Sequence, residues 1–233
     1  MDVDIGQGLI WFVVFLFSTT VHEAMHAFVA WKGGDPTAYH GGQVTLSPLP
    51  HIRREPIGML VVPLITALTQ GWVMGWASAP YDPHWAARHP RRAALMAAAG
   101  PAGNFALALV AFALLKVGLI AGWFVAPDRV SFDALVGLAA GDGPGFAGAF
   151  LSVMLMLNVL LGCFNLLPLP PLDGAAVLNV VLPEGAARQI REWSNQPAMS
   201  MLGLILAWRV FPYLSDPLFS MVLRLLHAQA SYT

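Results

Sequence analysis

Four long apolar runs alternate with polar or proline-rich stretches along the chain. Residues 9–31 hold two histidines and one glutamate but no lysine or arginine. At a rise of ~1.5 Å per residue such a run spans roughly 35 Å as a helix, enough to cross the hydrocarbon core of a bilayer. Residues 57–76, 93–121 and 146–167 have the same character. A fifth region, 197–227, is interrupted by Pro212, Asp216 and Pro217, and fits one broken helix or a short span followed by a surface helix. The pattern predicts an all-α polytopic membrane protein of about 4–6 transmembrane or membrane-embedded helices. No repeat or linker divides it, so residues 1–233 read as a single membrane-embedded domain.

Composition agrees. Hydrophobic residues make up 57% of the 233 and charged residues 11%, against about 25% charged in soluble domains. A soluble fold could not cover its surface with so few charges, and disorder is excluded by the same numbers. A net charge of -1 argues against a nucleic-acid partner. The single cysteine, Cys163, excludes an intramolecular disulfide framework or a cysteine metal cluster. The N-terminal MDVDIGQG is acidic where a cleavable signal would be basic.

The first apolar run carries His22-Glu23-Ala24-Met25-His26, an H-E-x-x-H pattern. On a helix, residues four apart lie one above the other, so both imidazoles can reach one zinc ion. Glu23 projects off that line, close enough to touch a water on the metal. Zinc lowers the pKa of such a water toward about 7, and a glutamate beside it can take the proton. With 7 histidines and 4 glutamates in the chain, about 0.004 chance matches are expected. The alternative is a polar patch buried in a helix bundle, but ionisable groups in hydrocarbon are costly and usually functional.

A catalytic zinc usually has three protein ligands. His40, His51, His84 and His89 read as loop or interface histidines, and Glu55, Glu184 and Glu192 sit beside arginines as surface charges. Asp173 differs. It ends the segment Asn165-Leu-Leu-Pro-Leu-Pro-Pro-Leu-Asp173-Gly174, with no cation nearby. Pro168, Pro170 and Pro171 forbid a continuous helix there, and irregular backbone at membrane depth occurs inside protein or beside water. Asp173 is a candidate ligand, an N-cap for a short helix over 174–182, or both.

At this point the chain resembles the site-2 protease family of intramembrane zinc metalloproteases. His22-Glu-Ala-Met-His26, Gly100-Pro101-Ala-Gly-Asn104, and Asn165 through Leu172-Asp173-Gly174 are similar to its three signatures, in order and rough spacing. Gly33-Gly-Asp-Pro-Thr-Ala38, Val44-Thr-Leu-Ser-Pro48 and Gly75-Trp-Ala77 look like its compact branch without PDZ or CBS domains. The resemblance covers about residues 10 to 180. It implies His22, His26 and Asp173 as ligands of one Zn²⁺ per chain and Glu23 as general base. Asn165 is implied as a polar catalytic group near the substrate, and Asn104 as marking a segment packed beside the site. The substrate implied is a membrane protein or peptide. Ser78 departs from the pattern, which has a lysine after Gly-Trp-Ala.

Convergence of the three motifs constrains topology. Gly100–Asn104 begins its span and Asp173 follows the end of the next, so the two share one side if those spans are antiparallel. The first motif joins them only if residues 57–76 fold back rather than cross, turning near Pro63 or between Gly71 and Gly75; the alternative is an ordinary span with Gly100–Asn104 away from the metal. Residues 32–92 carry a net +3, with acidic residues gathered in 121–146 and at Asp2 and Asp4. By the positive-inside rule the site faces the cytoplasmic side of a cell membrane. The strand-like segment 42–48 is a candidate for a short β-hairpin that could pair with an extended substrate, or an ordinary surface loop. Trp72, Trp76, Trp85 and Trp123 suit interface anchoring. A non-catalytic zinc-binding membrane protein, carrier or scaffold, is the competing reading. A carrier needs ionisable residues along a path across the membrane, and apart from Lys116 the charges outside the motifs gather at the ends. A third option, a membrane metalloprotease with glutamate as third ligand, lacks a glutamate at membrane depth.

Overall fold

A computed structural model describes residues 4–141, 143–194 and 196–227. Its frame is three long helices: α1 (Ile5–Lys32), α6 (Pro90–Ile120) and α7 (Gly145–Asn165), each long and apolar enough to cross a membrane. Asp4 starts α1 by accepting from the backbone N–H groups of Gly6 and Gln7 (2.8 and 3.2 Å), which satisfies donors with no partner inside the helix. Lys32 occupies its last turn, where a cation complements the helix dipole. The three helices bury a common core that includes Val14, Phe15, Leu115, Val153 and Met156.

Between α1 and α6 lie α2 (Thr37–His40), α3 (Pro48–Arg54), α4 (Ile57–Gln70, its first turn π-helical) and α5 (Pro83–Arg88). Helix α4 has 14 residues, about 21 Å of rise, short of the ~30 Å hydrocarbon thickness. It stops at Gly71, whose φ of 73° is a left-handed turn conformation open to glycine. The chain then returns: Met74 N–H donates to Thr66 Oγ1 (3.0 Å) and Trp76 N–H to the Gly58 carbonyl (3.1 Å). At the mouth of this hairpin Ser78 Oγ donates to Glu55 Oε1 (2.6 Å) and Arg54 Nε donates to the Ser78 carbonyl (3.1 Å). Segment 57–76 thus folds back on itself as a hairpin rather than running as one continuous helix, as the fold-back reading expects. Buried Asp35 anchors the return. It accepts from Thr37 N–H (3.0 Å), Thr37 Oγ1 (2.5 Å) and Asp82 N–H (2.8 Å).

The hairpin weighed for 42–48 does not form; residues 42–47 are turn, bend and irregular chain, and Pro48 begins α3. The antiparallel pair among the described residues joins β1 (Phe124–Val125) to β2 (Gly137–Leu138) in the α6–α7 loop, with Phe124 opposite Leu138. Trp85 is also not an interface anchor. It is buried, packed with Ala30 and Met96, and its Nε1–H donates to the Gly33 carbonyl (3.1 Å). After α7 come α8 (Asp173–Leu178), α9 (Glu184–Ser194), α10 (Pro197–Val210) and α11 (Pro212–Leu226). The last two form a pair bent by 47° at the Pro212 break. Lys116, near the C-terminal end of α6, donates from Nζ to the Leu226 carbonyl at the end of α11 (2.8 Å). That contact gives the charge a packing role.

Candidate metal centre

Helix α1 places His22, Glu23 and His26 in the interior, at 7%, 5% and 8% exposure. The two Nε2 atoms lie 2.9 Å apart. Both Nδ1 atoms face outward onto fixed partners: His26 Nδ1 lies 2.7 Å from the Met96 carbonyl, and His22 Nδ1 lies 2.6 Å from Asn104 Oδ1. A carbonyl oxygen only accepts, so each Nδ1 carries the hydrogen. In the neutral rings both Nε2 lone pairs then point inward. Helix α6 supplies these partners and also leaves the needed room. A Cβ on Gly100 would sit 2.4 Å from His26 Nε2 and 2.6 Å from His22 Nε2, so only glycine lets the backbone approach this closely.

Asp173 arrives from the other end of the chain. Helix α7 stops at Asn165, and the proline-rich turn delivers α8 against α6. Gly174 permits this approach, since a Cβ there would lie 2.2 Å from the Leu166 carbonyl. Asp173 is the first residue of α8; Leu172 is the N-cap, no side chain caps the helix, and α8 ends at Leu178 rather than 182. Relieved of a capping task, Asp173 Oδ2 lies 3.2 Å from His22 Nε2 and 3.3 Å from His26 Nε2.

Three acceptor atoms therefore converge within 2.9–3.3 Å. With both Nδ1 positions protonated, neutral imidazoles have no hydrogen to share among them, and mutual repulsion calls for a cation. The separations approach the ~3.3 Å edge of a tetrahedron with zinc–ligand lengths of about 2.0–2.1 Å. Two nitrogens and a carboxylate oxygen are a donor set that zinc accepts. The His22, Glu23 and His26 ligand atoms also fall within 4.8 Å of one another. Glu23 Oε2 is buried without a protein hydrogen-bond partner, the expected condition of a carboxylate reserved for a group outside the chain.

The support behind the histidines extends from Asn104 to two residues outside every motif, Asn158 and Ser18. Asn104 Nδ2 donates to Asn158 Oδ1 (2.8 Å), and Asn158 Nδ2 donates to Ser18 Oγ and the Met154 carbonyl (2.8 Å each). Asn104, Asn158 and Ser18 are fully buried. An amide in mid-span at position 158 was the available signal, because an unpaired polar group in hydrocarbon is costly. The Met96 carbonyl carries no sequence signal. Asn165 sits half-buried at the end of α7, and its side-chain amide donates to the Leu161 carbonyl of its own helix (3.0 Å). His51 lies apart from the cluster, buried with Nε2 3.2 Å from the Thr45 carbonyl.

Comparison with known proteins meets this geometry. Peptidase family M50 matches residues 10–210. The chain is 32% identical over 181 residues to "Putative zinc metalloprotease YwhC" of Bacillus subtilis, covering 77% of this chain and 72% of that protein. It is 29% identical over 175 residues to "Putative zinc metalloprotease Rip2" of Mycolicibacterium smegmatis, covering 75% of this chain and 58% of the relative. The Mycobacterium tuberculosis protein of the same name is 30% identical over 192 residues, 82% and 64% of the two chains. The match thus spans less than two thirds of either mycobacterial relative. No solved structure matches the chain. These findings put the protein in the class of membrane-embedded zinc metalloproteases. It belongs to Peptidase family M50, the site-2 protease family.

Proposed function

We propose that this chain is an intramembrane endopeptidase that binds one zinc ion through His22, His26 and Asp173 and hydrolyses peptide bonds of membrane-spanning or membrane-associated substrates. The observation that carries the reading is the convergence of three unprotonated acceptor atoms beside an unpartnered buried glutamate. Zinc held there supplies a Lewis acid that activates water and polarises the scissile carbonyl. Glu23 takes the proton of the attacking water on its carboxylate and passes it to the leaving amine. The Met96 carbonyl and Asn104 Oδ1 fix the ring planes, so the Nε2 lone pairs need no reorientation during turnover. The walls of α1, α6 and α7 exclude bulk water and strengthen these electrostatic terms.

A helical substrate offers no free carbonyl, because its backbone bonds are internal. It must unwind next to the site. Asn165, at the open end of α7, is the polar side chain we assign to hold the unwound backbone, after releasing its bond to Leu161. The net positive charge of residues 32–92 supports an orientation with the site toward the cytoplasmic side of a cell membrane. The Glu23→Gln protein, purified and assayed on a panel of single-span substrates, should retain about one zinc per chain and lose at least ~100-fold in cleavage rate, within the range general-base removal gives. Cleavage at the wild-type rate by Glu23→Gln would remove the base assignment. Zinc occupancy in wild type with no cleavage of any substrate would favour the carrier or scaffold reading.

A further inference from the structure

The last turn of α1 and the first turn of α6 enclose a cleft of about 420 Å³, lined by Val29, Lys32, Gly33, Gly34, Arg92 and Leu95. Its lining includes two cationic residues, Lys32 and Arg92, and no acidic one. Among the described residues, neither Lys32 nor Arg92 has a carboxylate within ion-pair distance. Arg92 is held in place, with Nη1 donating to the Gly33 carbonyl (3.1 Å), the same oxygen that receives the Nε1–H of buried Trp85. One bond uses one of five guanidinium donors and leaves the others for a ligand. The Lys32 ammonium lies 4.2 Å from the centre of the Trp31 ring, at the helix end. Residues 91 and 92 are among the first in α6, where backbone N–H groups lack helical partners and favour an anion. The other end of the cleft is apolar. It is formed by Val29 and by Leu95, which is 65% exposed, on helices whose length and hydropathy suit a bilayer.

A cationic, donor-rich head joined to an apolar wall at the end of two membrane-crossing helices matches one chemistry. We propose that this cleft binds an anionic phospholipid, with the headgroup phosphate between Lys32 and Arg92 and an acyl chain along Val29 and Leu95. A free phosphate would use the cations but leave the apolar wall unmatched. A zwitterionic lipid would use the wall, but its ammonium would face two like charges. The cleft lies within a turn of the metal centre on both helices, since Val29 follows His26 by three residues and Leu95 precedes Met96.

Native mass spectrometry of the full chain, titrated with dioleoylphosphatidylglycerol or dioleoylphosphatidylcholine, tests this. The wild type should retain one phosphatidylglycerol with about tenfold or greater preference over phosphatidylcholine. Lys32→Gln/Arg92→Gln should abolish that preference. Arg92→Lys should keep most of it, and Arg53→Gln, which removes an exposed cation elsewhere in the same basic region, should keep all of it. Equal loss in Arg53→Gln would overturn the proposal in favour of general surface charge. So would an undiminished preference in the double variant, or displacement of the lipid by inorganic phosphate in the same concentration range.

Discussion

The orientation of His22 depends on an amide rather than a carboxylate. Asn104 accepts from the imidazole with Oδ1 only because its Nδ2 is fixed on Asn158. Asn158 in turn is fixed by Ser18 and the Met154 carbonyl. Asn104→Ala removes the ring's hydrogen-bond partner and strands Asn158 in a dry core. The expected result is a roughly 10–100-fold loss of zinc affinity with the helical fold retained, measured by competition with a chromophoric chelator. Unchanged affinity would mean that packing alone orients the ring. At this scale the sequence reveals side chains whose chemistry is conspicuous in an apolar run: two histidines and a glutamate in a span, and an aspartate after a proline cluster. It hides what depends on pairing in three dimensions. Asn158 has no local signal beyond its polarity, and the Met96 carbonyl is one backbone oxygen among many until α1 packs against it.

At the scale of elements, the hairpin over 57–76 decides whether the motifs meet, and its two limbs are tied at one end by Glu55, Ser78 and Arg54. Single cysteines at positions 54 and 78, in a Cys163→Ser background reconstituted into vesicles, should react with an impermeant maleimide from the same side. Opposite reactivity would contradict the fold. The hairpin also depends on Asp35. Burial raises the pKa of that carboxyl, but the donors on Thr37 and Asp82 outweigh it and hold the group below the usual carboxylate range. A group with a depressed native pKa stabilises the fold above its unfolded value of about 3.9, and that contribution fades as pH falls through the lower native value. Asp35→Asn should therefore cost about 1–3 kcal/mol near neutral pH. The gap to wild type should close below about pH 4, as read from denaturation midpoints across a pH series; a pH-independent gap would rule out the ionised carboxyl as the cause. The hairpin was legible because a 20-residue run punctuated by Pro63 and Gly71 sits between motifs that had to share a side. The missing strand at 42–48 was not legible, since β pairing needs a neighbour that the local sequence does not name.

Across the whole molecule, the proposed metal centre joins segments 151 positions apart, from His22 on α1 to Asp173 on α8. Helix α8 is short, six residues, and follows a turn with little regular structure. Its seat depends on close contact at Gly174 and on whatever holds Asp173 against the two imidazoles. Without a cation, three acceptor atoms within 3.3 Å repel one another, and Asp173 Oδ2 is buried with no hydrogen-bond donor. Metal binding to the native arrangement alone is folding free energy, since the unfolded chain holds no such site. Removal of zinc by a chelator should therefore lower the unfolding midpoint of the wild type and speed proteolysis within 166–172. It should leave the cores of α6 and α7 protected from hydrogen exchange, because the burial of Leu115, Val153 and Met156 does not depend on the site. Asp173→Ala should start from the lower midpoint and respond far less to the chelator, because the link between α8 and α1 is already cut. If wild type and Asp173→Ala lost the same stability on chelation, α8 would not be fastened by the metal, and Asp173 would have to be replaced as the third ligand.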